Sequence, residues 1–264
     1  MRFVRRHLLT VYAILAFAYL LMPIAIVILF SFNDPAGRFN YTWQGFTLDH
    51  WRNWDGVPGL SDAMVLSIEI ALLASILATV LGTLIALALV RYGFRGRGAT
   101  NLLIFLPMAT HEIVLGASLL ALFINLKVFL GFSTILIAHI MFCISYVVVT
   151  VKARLIGFDR SLEEAAMDLG ANEWTTFRKV TLPLIAPAIL AGALLSFALS
   201  VDDFVITYFN SGSEITFPLF VWGAARVGAP PQVNVMGTVI FLFALTLMVA
   251  NVLVTMRREA RTQA

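Results

Sequence analysis

Six stretches of this 264-residue chain are each long and apolar enough to cross a bilayer as a helix; they lie near 8–32, 64–91, 100–125, 133–152, 184–209 and 235–256. A helix needs about 20 mostly apolar residues to span the hydrocarbon core. Backbone groups facing lipid must also be bonded within the segment, so open strands and irregular loops are excluded there. The expected fold is therefore an all-α membrane protein with six transmembrane helices. Composition agrees: 60% of residues are hydrophobic and 12% charged, about half the charge of a soluble domain. The first run follows Arg2, Arg5 and Arg6. It is longer than the roughly 7–15-residue apolar core of a secretory signal, which predicts a retained helix.

The charges then orient the chain. With six spans, both termini share one side with Arg91, Arg95, Arg97, Lys152, Arg154, Arg160, Arg178, Lys179, Arg257, Arg258 and Arg261, so that fourteen of the eighteen lysines and arginines lie there. Arg38, Arg52, Lys127 and Arg226 lie on the other. The positive-inside rule makes the first side cytoplasmic. These cations flank apolar runs rather than forming a patch, which argues against a nucleic-acid partner despite a net charge of +3. The single cysteine, Cys143, sits within an apolar run, and His111 and His139 lack ligand spacing, so neither a disulfide nor a metal site is expected. The organisation read from these patterns is a first helix and external aromatic loop over 1–63, a five-helix core over 64–256 and a cytoplasmic tail over 257–264. The external loop carries Phe39, Tyr41, Trp43, Phe46, Trp51 and Trp54. It reads either as an interfacial aromatic belt or as a docking surface for an external binding protein. A second external loop, 210–234, is irregular.

A polar cytoplasmic insert over about 155–183 interrupts the apolar pattern. Ser161 and Glu164 fit a capping box opening a helix, with Leu162, Ala165, Ala166 and Leu169 at helical spacing. Gly170 is placed to stop it. A second short helix is expected from Asn172-Glu173, carrying Trp174, Phe177 and Val180 on one face, with Pro183 at the turn into the fifth span. Helical spacing and a glycine stop fit a docking platform better than a solvated linker.

Four carboxylates, Glu69, Glu112, Asp202 and Asp203, fall within the spans, where a charge costs about 2.5–3.5 kcal/mol near mid-bilayer. Counting the rise per residue puts Asp202 roughly 22 Å and Glu112 roughly 18 Å from the cytoplasmic end of their helices. An anion path needs Arg, Lys or helix N-termini, and none is expected there, so a lining of carboxylates favours a cationic cargo. Adjacent residues point about 100° apart on a helix. One of Asp202 and Asp203 can therefore face a pathway while the other bonds a neighbouring helix. Glu112 beside His111, with His139 on the next span, reads equally well as a structural pair, and Glu69 as an interfacial residue. Pro107 is a candidate kink. The Gly82…Ala86 and Gly192…Ser196 spacings read as close helix packing.

The run Glu164-Ala165-Ala166, three residues, Gly170, nine residues, Val180, one residue, Leu182-Pro183 resembles in full the EAA coupling loop of ABC-importer permeases. Ser200-Val201-Asp202-Asp203-Phe204-Val205-Ile206-Thr207 resembles the permease of polyamine importers of the spermidine/putrescine type. So do Phe142-Cys143, Arg91-Tyr92, Phe94-Arg95-Gly96 and Gly157-Phe158-Asp159. His111-Glu112 departs from the Pro-Asp expected in that family. The resemblance implies a type I ABC importer permease of the bacterial inner membrane. Glu164, Ala165, Ala166, Asp168 and Gly170 would couple it to an ATPase, and Asp202, Asp203 and Glu112 would line the substrate pathway. The implied partners are a second permease in a heterodimer, two copies of a cytoplasmic ATPase that holds ATP and Mg, and a periplasmic substrate-binding protein. No phosphate-binding loop and no nucleophile motif occurs in this chain, so no cofactor and no catalysis of its own are expected. The alternatives are a permease for another small organic solute, an ion-coupled cation transporter, which the coupling loop argues against, and an intramembrane enzyme. That enzyme would need catalytic aspartates on separate helices rather than adjacent ones.

Overall fold

A computed structural model describes residues 2–37 and 39–262. Arg38, counted above among the external cations, lies outside the described residues, as do residues 263–264 of the tail and the side chains of Arg2, Arg5, Arg6, Arg257, Arg258 and Arg261. The described chain is helical throughout: α1 (Arg2–Phe30), α2 (Asp49–Arg52), α3 (Leu60–Arg91), α4 (Arg97–Ala109), α5 (Glu112–Asn125), α6 (Phe132–Ile156), α7 (Ser161–Asp168), α8 (Glu173–Thr176), a π-helical turn (Phe177–Thr181), α9 (Leu182–Asp202), α10 (Val205–Asn210), α11 (Phe217–Val227) and α12 (Pro231–Thr262).

The six expected spans are realised unevenly. Leu8–Phe30, α3, α6 and the continuous helix Glu173–Asp202 are each long and apolar enough to cross a membrane. The expected third span, 100–125, is instead the pair α4 and α5, bent by 111°; counted as one, it makes a fifth. Helix α4 runs through Pro107 and ends two residues later at Ala109, after which Thr110 and His111 take extended backbone angles. Glu112 is the first residue of α5, directly after the bend. The expected sixth span falls in α12, whose apolar described portion is Pro231–Thr246.

Two compact units emerge, residues 1–61 with 221–264, and residues 62–220. In the first, α1 packs against α12, with Val27 beside Gly237. The loop after α1 is a built structure. The buried Asn33 side chain donates to Asn40 Oδ1 (2.6 Å) and Thr42 O (2.8 Å) and accepts from Gln44 N (2.7 Å). Phe32 stacks between Phe46 and Trp51. Phe39, Tyr41, Trp43 and Trp54 stay exposed.

In the second unit α6 is central, and its buried face meets α4, α5, α9 and α10. Val147 shows why this works. A Cβ on Gly82 would lie 2.8 Å from the Val147 side chain, and one on Gly192 would lie 3.4 Å from its Cα. Helices α3 and α9 thus approach α6 from both sides over glycines, as small residues allow where lipid supplies no hydrophobic drive for association.

Candidate functional site: an acidic cavity at two helix breaks and a helical platform

The expected fifth span, 184–209, breaks at Asp203-Phe204, because Asp203 is extended (φ −66°, ψ 119°) and α10 begins two residues later. The break is held by its own side chain. The Asp203 carboxylate accepts from the Ile206 and Thr207 backbone N–H groups (3.3 and 2.8 Å) and from the Thr207 hydroxyl (2.8 Å). It thereby satisfies donors that a helix start leaves free. His139 on α6 closes the arrangement. Its Nδ1 lies 2.7 Å from Ser200 Oγ, and its Nε2 lies 2.9 Å from Thr207 Oγ1 and 3.3 Å from Asp203 Oδ2. A proton on Nε2 with Nδ1 accepting satisfies every partner. All four side chains are buried. His139 is thus committed to α9 and α10 through Ser200, Thr207 and Asp203.

Asp202, one residue earlier, is exposed at the end of α9. Glu112 is also exposed, at the first position of α5. It lines a cavity of about 430 Å³ with Pro107, Thr110, His111, Phe142, Tyr146 and Val205. Asp202 and Asp203 are its charged neighbours. Both helix breaks therefore open on one region, since Glu112 starts α5 and Val205 starts α10. These helices run in contact, with the Asn210 side chain donating to Gly116 O (3.3 Å). The expectation that no helix N-terminus is available here is corrected, because two are present. Asp203 occupies one, and Glu112 sits in the first turn of the other, so the partial positive charge of each start already faces a carboxylate. Glu69 is exposed on α3. Among the described residues, no three His, Cys, Asp or Glu side chains gather as metal ligands.

On the polar insert, α7 starts at Ser161, but Ser161 is not its cap. Asp159 Oδ1 accepts the Ser161 N–H (3.0 Å), and this bonding holds the exposed Asp159 carboxyl below its ordinary pKa. The capping box expected from Ser161 and Glu164 is thus corrected, with Asp159 two residues upstream taking the free donor. The far end follows expectation. Gly170 takes φ +87°, Gly170 N donates to Met167 O (2.9 Å) and Ala171 N to Ala166 O (3.1 Å). This is a Schellman stop, favoured by a residue without Cβ. The Asn172 side chain accepts from Thr175 N (2.8 Å) and opens α8. No turn follows at Pro183. Instead Leu182 N reaches Phe177 O across the π turn, and the helix continues. A proline has no N–H and its ring crowds the carbonyl four residues back; widening the preceding turn accommodates both without a break.

The two faces of α7 differ. Leu162, Ala165 and Leu169 point outward, with Leu169 90% exposed; Glu164, Met167 and Asp168 are exposed too, with Glu164 and Met167 lining a cavity that faces α3. Ala166 is half-buried. Glu163 turns inward, where its carboxylate accepts from Arg91, the last residue of α3, and from Thr181 in the π turn. Arg91 entered the sequence analysis only as a topology marker, and its separation of 72 residues from Glu163 leaves no local signal of the contact.

Residues 78–258 match the family model for the binding-protein-dependent transport system inner membrane component. The chain is 41% identical over 244 residues to the spermidine/putrescine transport system permease protein PotC of Haemophilus influenzae, covering 92% of this chain and 94% of that one. It is 42% identical over 239 residues to the protein of the same name from Escherichia coli K12, covering 90% of each. To the putrescine transport system permease protein PotI of the latter organism it is 39% identical, covering 86% of this chain and 83% of the relative. In fold it is similar to a bacterial ABC transporter involved in the import of alginate (TM-score 0.66, 19% identity, 96% of this chain and 94% of that one). It is also similar to an amino acid ABC transporter (TM-score 0.58, 16% identity, 81% of this chain and 100% of that one).

Proposed function

Because this chain belongs to the family of inner membrane components of binding-protein-dependent transport systems, a multi-pass permease component and not the ATPase, we propose that it carries polyamines such as spermidine and putrescine across the inner membrane. In this reading six membrane crossings leave both termini in the cytoplasm. A second permease completes the pathway, two ATPase copies dock on the paired coupling loops, and a periplasmic protein delivers the substrate. Glu164, Ala165, Ala166, Asp168 and Gly170 couple the chain to the ATPase, with the outward stripe of Leu162, Ala165 and Leu169 entering its groove. Glu112 and Asp202 face the cargo, and Asp203 holds the break that presents them.

The observation that carries the substrate class is the pair of exposed carboxylates, Glu112 and Asp202, at two helix breaks, in a chain 41–42% identical to permeases named for spermidine and putrescine. Their charge is reinforced by position. Asp202 ends α9, and a helix C-terminus carries about half a negative charge with unpaired carbonyls. An extended polycation gains from both, as cations do at broken transporter helices.

Labelled spermidine uptake by Asp202→Asn, Glu112→Gln and the double variant, each in the reconstituted complex, tests this. We expect a loss of about tenfold or more in the double variant, because neutralising two partly desolvated carboxylates removes hydrogen bonds to charge worth about 1.5–3 kcal/mol each. Uptake equal to that of the unmodified protein in all three overturns the cation pathway. Gly170→Asp, which retains insertion but disturbs the outward face, is expected to abolish ATP-driven uptake. Normal uptake there removes the docking assignment.

A further inference from the structure

Resting on the reading that the outer face of α7 receives the ATPase, we propose that Arg91, Glu163 and Thr181 form the joint that delivers the displacement of α7 to two long helices at once. Glu163, not the neighbouring Glu164, is the positioning residue of that joint.

Helix α7 is only eight residues long, with short links to α6 and α8. A push on its outer face could therefore be absorbed by swinging α7 about its links. Packing does little to prevent this. A cavity of about 690 Å³, lined by Leu84 and Ala88 of α3, Tyr92 just past it, Trp174 of α8 and Phe177 of the π turn, opens beside it. The inward face of α7 is instead tied by Glu163, which accepts from both Arg91 and Thr181. Arg91 also donates to Thr181 Oγ1 (3.3 Å), so the three side chains form a closed ring. Arg160 adds a weaker tie to Val90 O (3.4 Å).

The ring is sheltered as well as closed. Thr181 is fully buried and the Glu163 side chain is 13% exposed. Such a pair is screened less than a surface salt bridge, whose worth is close to nothing. Its two other members end different elements. Arg91 is the last residue of α3, and Thr181 lies in the π turn of the unbroken helix from Glu173 to Asp202. That helix has 30 residues, about 45 Å at the usual rise, and its far end is the Asp202-Asp203 break. A movement of Glu163 thus reaches the intramembrane carboxylates through one rod and the α3 helix through the other. The π turn, a local widening of the helical ladder, lies where the rod receives the load.

The test uses the whole complex in proteoliposomes and reads three quantities: ATPase co-purifying with the permease, ATP hydrolysed, and substrate taken up per ATP. Glu163→Gln and Arg91→Gln are expected to keep the ATPase bound and hydrolysing while uptake per ATP falls about tenfold, within the usual range of coupling between sites. The exchange Arg91→Glu with Glu163→Arg is expected to recover most of that loss, and Thr181→Val to cost less than either single change. Unchanged uptake per ATP in both single variants overturns the joint. So does loss of ATPase binding in step with uptake, which would make Glu163 a group that merely keeps α7 folded. Gly170→Asp separates the two levels: if it leaves uptake intact, the docking reading fails on its own account.

Discussion

The chain carries two adjacent acid pairs, one on α7 and one at the end of the helix Glu173–Asp202, and each pair divides its labour in the same way. At the polar insert, Glu163 is turned inward onto Arg91 and Thr181 while Glu164 is exposed. At the α9–α10 break, Asp203 is buried against His139 and the start of α10 while Asp202 is exposed. Neighbours on a helix point about 100° apart, so an adjacent pair at a surface almost necessarily presents one member to the protein and one to its surroundings. The difference lies in what satisfies the inner member. Glu163 meets a full positive charge, whereas Asp203 meets a histidine, a hydroxyl and two backbone N–H groups. The inner acid near water is tied by charge, and the one among apolar helices is tied by a hydrogen-bond network that needs no second formal charge.

The largest effect that can break this comparison is expected at Asp203. Asp203→Ala leaves two helix-start N–H groups, the Thr207 hydroxyl and His139 without their acceptor in a buried setting. Leaving a buried donor unsatisfied costs about 1–3 kcal/mol, and several are stranded here. Thermal unfolding of the detergent-solubilised complex is expected to show a clear fall in Tm. A Tm equal to that of the unmodified protein means that Asp203 is not the keeper of the break.

A smaller and more local effect is expected at Glu163. Glu163→Ala strands the Thr181 hydroxyl and leaves Arg91 half-exposed without its partner, a penalty of about 1–3 kcal/mol. Because α7 joins the rest through short links, the cost falls on local opening rather than on global unfolding. Hydrogen exchange over 161–170 is expected to accelerate while exchange in α6 stays unchanged. Equal acceleration in both means that the insert and the helical core unfold together, and the contrast between the two pairs disappears.

These inner partners explain what the sequence reveals and what it hides. The apolar runs of α1, α3 and α6 announce themselves because length and hydropathy alone decide them. The stop at Gly170 is equally visible, since the turn requires a positive φ that glycine tolerates. The breaks at Thr110-His111 and Asp203-Phe204 are hidden because the residues around them remain apolar, so a window of twenty residues runs across both. Pro107 hints at the first, yet the helix passes through it and bends only after Ala109. The cap at Asp159 competes with an equally plausible one at Ser161, and only the backbone geometry chooses. The partners of Glu163 and His139 arrive from 72 and 64 residues away, distances at which no periodicity reports a contact.

The smallest effects are expected at the outer members, and their signs sharpen the comparison most. Asp202 and Glu164 make no described hydrogen bond or ion pair, so neutralising either is expected to change stability by less than about 0.5 kcal/mol. The helix dipole nevertheless separates them. Glu164 lies in the first turn of α7, where a negative charge is favourable by about 0.3–1 kcal/mol, and less when exposed. Glu164→Gln is therefore expected to cost a few tenths of a kcal/mol. Asp202 is the last residue of α9, where the same dipole opposes it, and Glu112 and Asp203 are like-charged neighbours. Asp202→Asn is therefore expected to leave Tm unchanged or to raise it slightly. Such a result would leave the Asp202 charge free for a partner outside the chain. If Asp202→Asn instead lowers Tm as much as Asp203→Ala does, both members of that pair belong to the fold and neither is free for a cargo.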